Sequence, residues 1–179
     1  ADPQAVTQAF DKIEAERGPE KRDTRNAAVY PRADFLDQTP QEFTGVMNIN
    51  LGGIVNCSHR ALRGMVETGL GRIANVASFA DIAPLPASSA YSVSKGAARI
   101  LTRAMVADLG DRFPGIVISD WLPGMLATRM GIPDGLQPAD AAKWGASLLL
   151  WHDPSLNGAV FEMGTEVLPH RSLKRRLLD

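Results

Sequence analysis

Two short apolar runs, GRIANVAS at 71–78 and GIVISDWL at 115–122, constrain this chain more than anything else in it. Each is too short for a typical helix and apolar through its centre, the pattern of a strand covered on both faces. Between them, residues 89–109 carry a helical apolar period that stops at Gly110, ahead of Phe113-Pro114-Gly115. Strand, long helix, strand is the order of a right-handed crossover joining parallel strands. The flanking segments keep that rhythm. Residues 3–17 read as a helix capped by Asp2, with Pro3 in its first turn and Val6, Phe10 and Ile13 on one stripe. Residues 40–66 read as a longer helix, with Thr39 and Glu42 forming a capping box around Pro40 and Phe43, Met47, Ile54 and Leu62 along one side. A helix over 138–151, opened by Pro138, and a strand over 158–164 complete an α/β chain built on a parallel sheet. Its length suits one domain, 1–179.

Charge narrows the partners. With 19 basic against 20 acidic residues and a net charge of −1, nothing marks the chain for nucleic acid or an anionic membrane. No apolar run approaches a membrane span, and the opening ADPQAVTQAF lacks a signal-peptide core, so the expected location is the cytoplasm. The lone Cys57 excludes an internal disulfide and reads as a small core residue. His59, His152 and His170 have no metal-ligand spacing, so no metal site is expected. Trp144 and Trp151, seven apart, read as core or interface.

In parallel α/β sheets, ligands sit outside the carboxyl ends of the strands. Ser78 ends the first apolar run there, and Pro123-Gly124 follow the second. Tyr91 and Lys95, four apart on one helix face, open the helix after Ser78, among the small residues Ser92, Ser94, Gly96 and Ala97. Asn50 falls inside the apolar stripe of the long helix, where an amide needs partners. Alone it reads as a structural Asn held by backbone.

Together, Asn50, Ser78, Tyr91 and Lys95 resemble the catalytic tetrad of the short-chain dehydrogenase/reductase family. NINLGG (48–53), GRIANVAS with its thirteen-residue step to Tyr91, YSVSKGAARILTRAMVADL and PGMLAT (123–128) are similar to that family's segments, in order, over roughly residues 1–164. The resemblance implies a Rossmann-like three-layer sandwich and an NAD- or NADP-dependent oxidoreductase acting on a small-molecule carbonyl/alcohol pair, the choice of cofactor staying open. It makes Tyr91 the proton donor and Ser78 the group that holds the substrate oxygen. Lys95 binds the nicotinamide ribose and lowers the phenol pKa, and Asn50 anchors a water leading to Lys95. Asn26, Tyr91, Lys95, Pro123, Gly124 and Thr128 are the implied cofactor contacts, and helices 40–66 and 89–109 the implied surfaces of a homodimer or homotetramer.

The chain also departs from that pattern. No G-x-x-x-G-x-G turn is present, so it is expected to be an N-terminally incomplete member lacking the first strands. Where the family carries an apolar strand, Glu20 to Arg25 are all polar or charged, and only Asn26 of an Asn pair remains. Three readings of 20–25 stand: an edge strand, a loop, or a sequence error. A central strand is excluded. The rival function is a catalytically silent module used in binding or assembly. Reading Ser92-Val93-Ser94-Lys95 as an acylating S-x-x-K fails for want of S-D-N and K-T-G elements. The lid after Thr128 is expected to be short, and RSLKRRLLD at the C-terminus to be a docked or frayed tail.

Overall fold

The computed structural model describes residues 2–168. The chain runs α1 (Pro3–Arg17), β1 (Arg22–Arg25), α2 (Pro40–Thr68), β2 (Gly71–Val76), α3 (Ser89–Leu109), β3 (Ile116–Leu122), α4 (Pro138–Leu150), β4 (Val160–Glu162) and β5 (Thr165–Glu166). Short 3-10 turns occupy Phe79–Asp81 and Pro154–Leu156. The sheet has the order β1-β2-β3-β4-β5; β1 to β4 are parallel, and β5 returns antiparallel to β4. The expected Rossmann-like α/β sandwich is present. The C-terminal tail lies outside the described residues.

Local signals set the helices. The Asp2 carboxylate accepts from the Gln4 N–H at 2.9 Å. At the start of α2, Thr39 Oγ1 accepts from the Glu42 N–H at 3.2 Å while the Glu42 carboxylate accepts from the Thr39 N–H at 2.8 Å, closing the capping box. That helix continues two residues past the expected 66 and ends on Gly69, whose φ of 68° is the left-handed cap that a residue without Cβ adopts freely.

Strand alternation divides the core. Ile73, Ile116 and Ile118 turn to the face covered by α2 and α3, where they meet Ala61, Met65 and Met105. Ala74, Val76, Val117 and Trp121 turn to the other face, against Leu148 of α4, Leu156 and Phe161. Trp144 packs beside this second cluster, while Trp151, half-exposed, meets Phe161 edge-on. Arg72 is buried on the α4 face and donates to the carbonyls of Leu148 and Trp151 and to Ser119 Oγ. It satisfies orphan carbonyls at the end of α4, and burial lowers its pKa to about 10.

Residues 22–25 form a four-residue edge strand, one of the readings left open above. Asp23 and Arg25 point under α2 and pair at 3.1 Å, with Arg25 almost fully buried. Three further expectations are corrected. Cys57 is half-buried and not a core residue, because it stands beside this polar pair at the sheet edge. The strand read over 71–78 ends at Val76, since Ser78 leaves the ladder to cap the next turn. The strand read over 158–164 shortens to Val160–Glu162, because Met163, at φ 51°, turns the chain into β5. Among the described residues, no helix is long and apolar enough to cross a membrane.

Candidate active site

The carboxyl ends of β1, β2 and β3 deliver Asn26, Ser78 and Pro123-Gly124 to one rim of the sheet. Ser78 Oγ accepts from the Ala80 N–H at 3.2 Å, fixing the hydroxyl at the start of the Phe79–Asp81 turn. The Tyr91 phenol, from the first turns of α3, comes near the same hydroxyl, which favours its ionised form. One helical turn on, Lys95 is 4% exposed; its Nζ donates to the Val76 carbonyl at 2.7 Å and stands 5.7 Å from the Tyr91 ring centroid. The structure thus brings Ser78, Tyr91 and Lys95 together.

Burial dominates the electrostatics of the two titratable groups. Burial pushes the Tyr91 phenol above its ordinary pKa, the nearby Ser78 hydroxyl opposes this, and Tyr30 adds to the rise. The Lys95 ammonium is turned toward the Val76 carbonyl. Burial in turn lowers Lys95 to about 8, with Asp120 opposing the fall.

Asn50 is buried but not open to water through its side chain. Its Oδ1 accepts from the Val29 N–H at 2.8 Å, and its Nδ2 donates to the Val29 carbonyl and to Ser94 Oγ, each at 3.0 Å. Ser94 Oγ donates on to the Tyr91 carbonyl at 2.7 Å. The Asn50 amide thus clamps the loop after β1 to α3. Ser92 and Ser94 are likewise buried and hydrogen-bonded, so these small residues serve close helix packing rather than clearance for a ligand.

Asn26 is exposed just past β1. Gly124 has φ 88°, and a Cβ there would lie 3.0 Å from Leu136 Cδ1, so the turn after β3 presents bare backbone. Thr128 is exposed; its Oγ1 accepts from the Gly131 N–H of its own loop at 3.2 Å, which leaves the hydroxyl hydrogen to donate. That loop closes on itself through Leu126 and Leu136.

Sequence reasoning missed two residues. Tyr30 stacks on Tyr91 with ring centroids 4.2 Å apart, and the Arg32 guanidinium lies 5.9 Å from the Tyr30 ring centroid. An aromatic side chain in a rim loop, at Val29-Tyr30-Pro31, was the available signal. Asp120 is a carboxylate inside an otherwise apolar strand and is 2% exposed. A lone acid in GIVISDWL was its signal.

The fold and this rim define an α/β domain with a Ser–Tyr–Lys cluster at the carboxyl ends of parallel strands. The chain belongs to the short chain dehydrogenase family, whose model matches residues 1–137. It is 33% identical over 131 residues to the probable oxidoreductase EphD of Mycobacterium tuberculosis, covering 73% of this chain and 22% of that protein. It is 36% identical over 115 residues to carbonyl reductase [NADPH] 2 of Sus scrofa, covering 64% of this chain and 46% of that one. Among solved structures, it is similar to a gluconate 5-dehydrogenase from Burkholderia cenocepacia in complex with NADP and tartrate. That match has a TM-score of 0.78 at 27% identity and covers 91% of this chain and 71% of that one. The chain spans less than half the length of these two curated relatives.

Proposed function

We propose that this chain carries the acid–base centre of an NAD- or NADP-dependent oxidoreductase that interconverts a small-molecule carbonyl and an alcohol. The observation that carries the reading is the convergence of the Ser78 hydroxyl, the Tyr91 phenol and, one helical turn on, the buried Lys95 at the carboxyl rim of a parallel sheet. Family membership and the NADP bound to the similar gluconate 5-dehydrogenase support it.

The residues present suit the nicotinamide end of such a cofactor. Val76 is the one hydrogen-bond partner of Lys95 among the described residues, which leaves two ammonium N–H groups for ribose hydroxyls. The bare turn at Gly124 admits a flat group close to backbone. Asn26, Tyr91, Lys95, Pro123, Gly124 and Thr128 would hold that end. The cofactor supplies or accepts the hydride. In reduction, Tyr91 donates its proton to the substrate oxygen, and its raised pKa keeps the phenol protonated at neutral pH. Ser78 holds that oxygen by a hydrogen bond that strengthens as negative charge develops. Asn50 acts as a positioning residue through Val29 and Ser94.

The test is turnover of a panel of ketones and aldehydes with NADH and NADPH, alongside fluorescence titration of both cofactors. Tyr91→Phe is expected to lower turnover by about 10²-fold or more, within the usual range for a general acid, while leaving circular dichroism unchanged. Full activity in that variant overturns the role of Tyr91, and no binding of either cofactor at millimolar levels overturns the dehydrogenase reading for this chain.

A second reading, an assembly module, rests on exposed apolar side chains of the two long helices: Ile49 and Val55 of α2, Val93 and Ile100 of α3. It predicts a homodimer or homotetramer joined through these helices. Sedimentation of Ile100→Asp as a monomer, beside an oligomeric parent, is its expected outcome.

A further inference from the structure

Tyr30 and Tyr91 are the two tyrosines of this chain, and the fold lays one ring on the other. Their centroids lie 4.2 Å apart with the planes 27° from parallel. Aromatic pairs in proteins usually begin at about 4.5 Å, so these rings are in close contact. Both side chains are half-buried, which leaves each phenol within reach of a small solute.

Backbone holds the contact in place. Asn50 Oδ1 accepts from the Val29 N–H, next to Tyr30, and Asn50 Nδ2 donates to the Val29 carbonyl and to Ser94 Oγ. Ser94 Oγ donates in turn to the carbonyl of Tyr91 itself. Two segments far apart in sequence are thereby fixed at the positions from which their rings meet.

A phenol that loses one electron and its proton becomes a neutral radical, with unpaired spin on the oxygen and on the two Cε carbons beside it. Two such radicals in contact couple by forming a carbon–carbon bond between a Cε of each ring. The hydrogens on the bonded carbons then move to the two oxygens, which restores both phenols.

We propose that Tyr30 and Tyr91 form an oxidative modification site, where two equivalents of a one-electron oxidant join the rings as an intramolecular dityrosine. Each tyrosine gives up one electron and one proton, the oxidant takes both electrons, and the product is two hydrogens lighter. The new bond cannot form while the rings stay stacked, so the Tyr91 ring must turn away from its place near Ser78. Oxidation would therefore silence the acid–base centre. That consequence rests on the function proposed above; the cross-link itself does not.

The test is brief illumination of the dilute full chain with ruthenium tris(bipyridyl) and persulfate, followed by trypsin and mass spectrometry. Tryptic cleavage after Arg and Lys places Tyr30 in peptide 26–32 and Tyr91 in peptide 73–95. The oxidised monomer is expected to be two hydrogens lighter and to yield these two peptides joined. Tyr30→Phe, which keeps a stacking ring, is expected to lose that mass shift and the joined pair. In urea the yield from the parent is expected to fall by about tenfold or more, because the ends of a long loop seldom meet. Oxidised monomer without the joined pair, joined peptides found in dimers alone, or equal yields from folded and unfolded chain would each overturn the proposal. No cofactor or substrate is used, so an inactive chain leaves the result standing, and a failed cross-link leaves the role of Tyr91 as proton donor standing.

Discussion

Tyr30 and Tyr91 stack with ring centroids 4.2 Å apart and planes 27° from parallel, so one face of the candidate proton donor is covered by a second phenol. The sequence contains just these two tyrosines. Tyr30→Phe therefore leaves Tyr91 as the sole source of tyrosinate absorbance. In that variant the midpoint is expected above the ordinary 10, because the burial that raises it is kept. In Tyr30→Ala, where water reaches the uncovered ring, the midpoint is expected to drop back toward 10. Equal midpoints in the two variants would show that Tyr30 does not shield Tyr91.

Asp120 gives stability a pH dependence of definite sign. Its carboxyl titrates near 6 when folded against 3.8 when unfolded, so the native state binds that proton more tightly. The resulting advantage is full below about 3.8 and is lost as pH rises through about 6. Asp120→Asn lacks this loss. Relative to the parent, its unfolding free energy is expected to improve across that window, by about 3 kcal/mol at most. Urea unfolding at a series of pH values measures it, and a flat difference contradicts the assignment.

Arg72 is 1% exposed and carries the carbonyls at the end of α4. Arg72→Ala would leave those carbonyls and Ser119 without their donor, beside a cavity in the sheet. A loss of about 3 kcal/mol or more is expected in denaturant unfolding. A loss under about 1 kcal/mol would mean that water replaces the guanidinium.

Gly145 packs against an indole. A Cβ there would fall 2.8 Å from Trp121 Cη2 and Cζ3. Gly145→Ala is expected to cost about 1–3 kcal/mol through displacement of α4 from the sheet, outweighing any gain in helix propensity. Thermal unfolding gives the cost, and a stabilised variant would show that α4 yields freely.

Much of this was legible in the chain because local chemistry agreed with tertiary demand. The bounds of α1 and α3 match the sequence reading, since a capping Asp2, Pro3 and a clean apolar period specified them without help. Placing Ser78, Pro123 and Gly124 on one rim followed from strand direction alone. What stayed hidden depends on neighbours brought from afar. Arg25 looks solvent-facing in a charged run, yet α2 covers it. The amide of Asn50 read as one held by backbone, but that the backbone is Val29, 21 residues earlier, giving both its carbonyl and its N–H, was not visible. The phenol's upward shift needed the burial of Tyr91, which no spacing of Tyr and Lys reveals.

The Asn50 clamp has a consequence for anyone reshaping this rim. The segment carrying Tyr30 is riveted at Val29 to α2, and through Ser94 to the backbone of Tyr91 itself. A transplanted loop would arrive without its anchor unless Asn50 and Ser94 travelled with it. The unit of exchange at this site is thus a loop plus two helix positions scattered over more than sixty residues, and libraries that vary residues 26–34 alone would sample mostly misplaced aromatic rings.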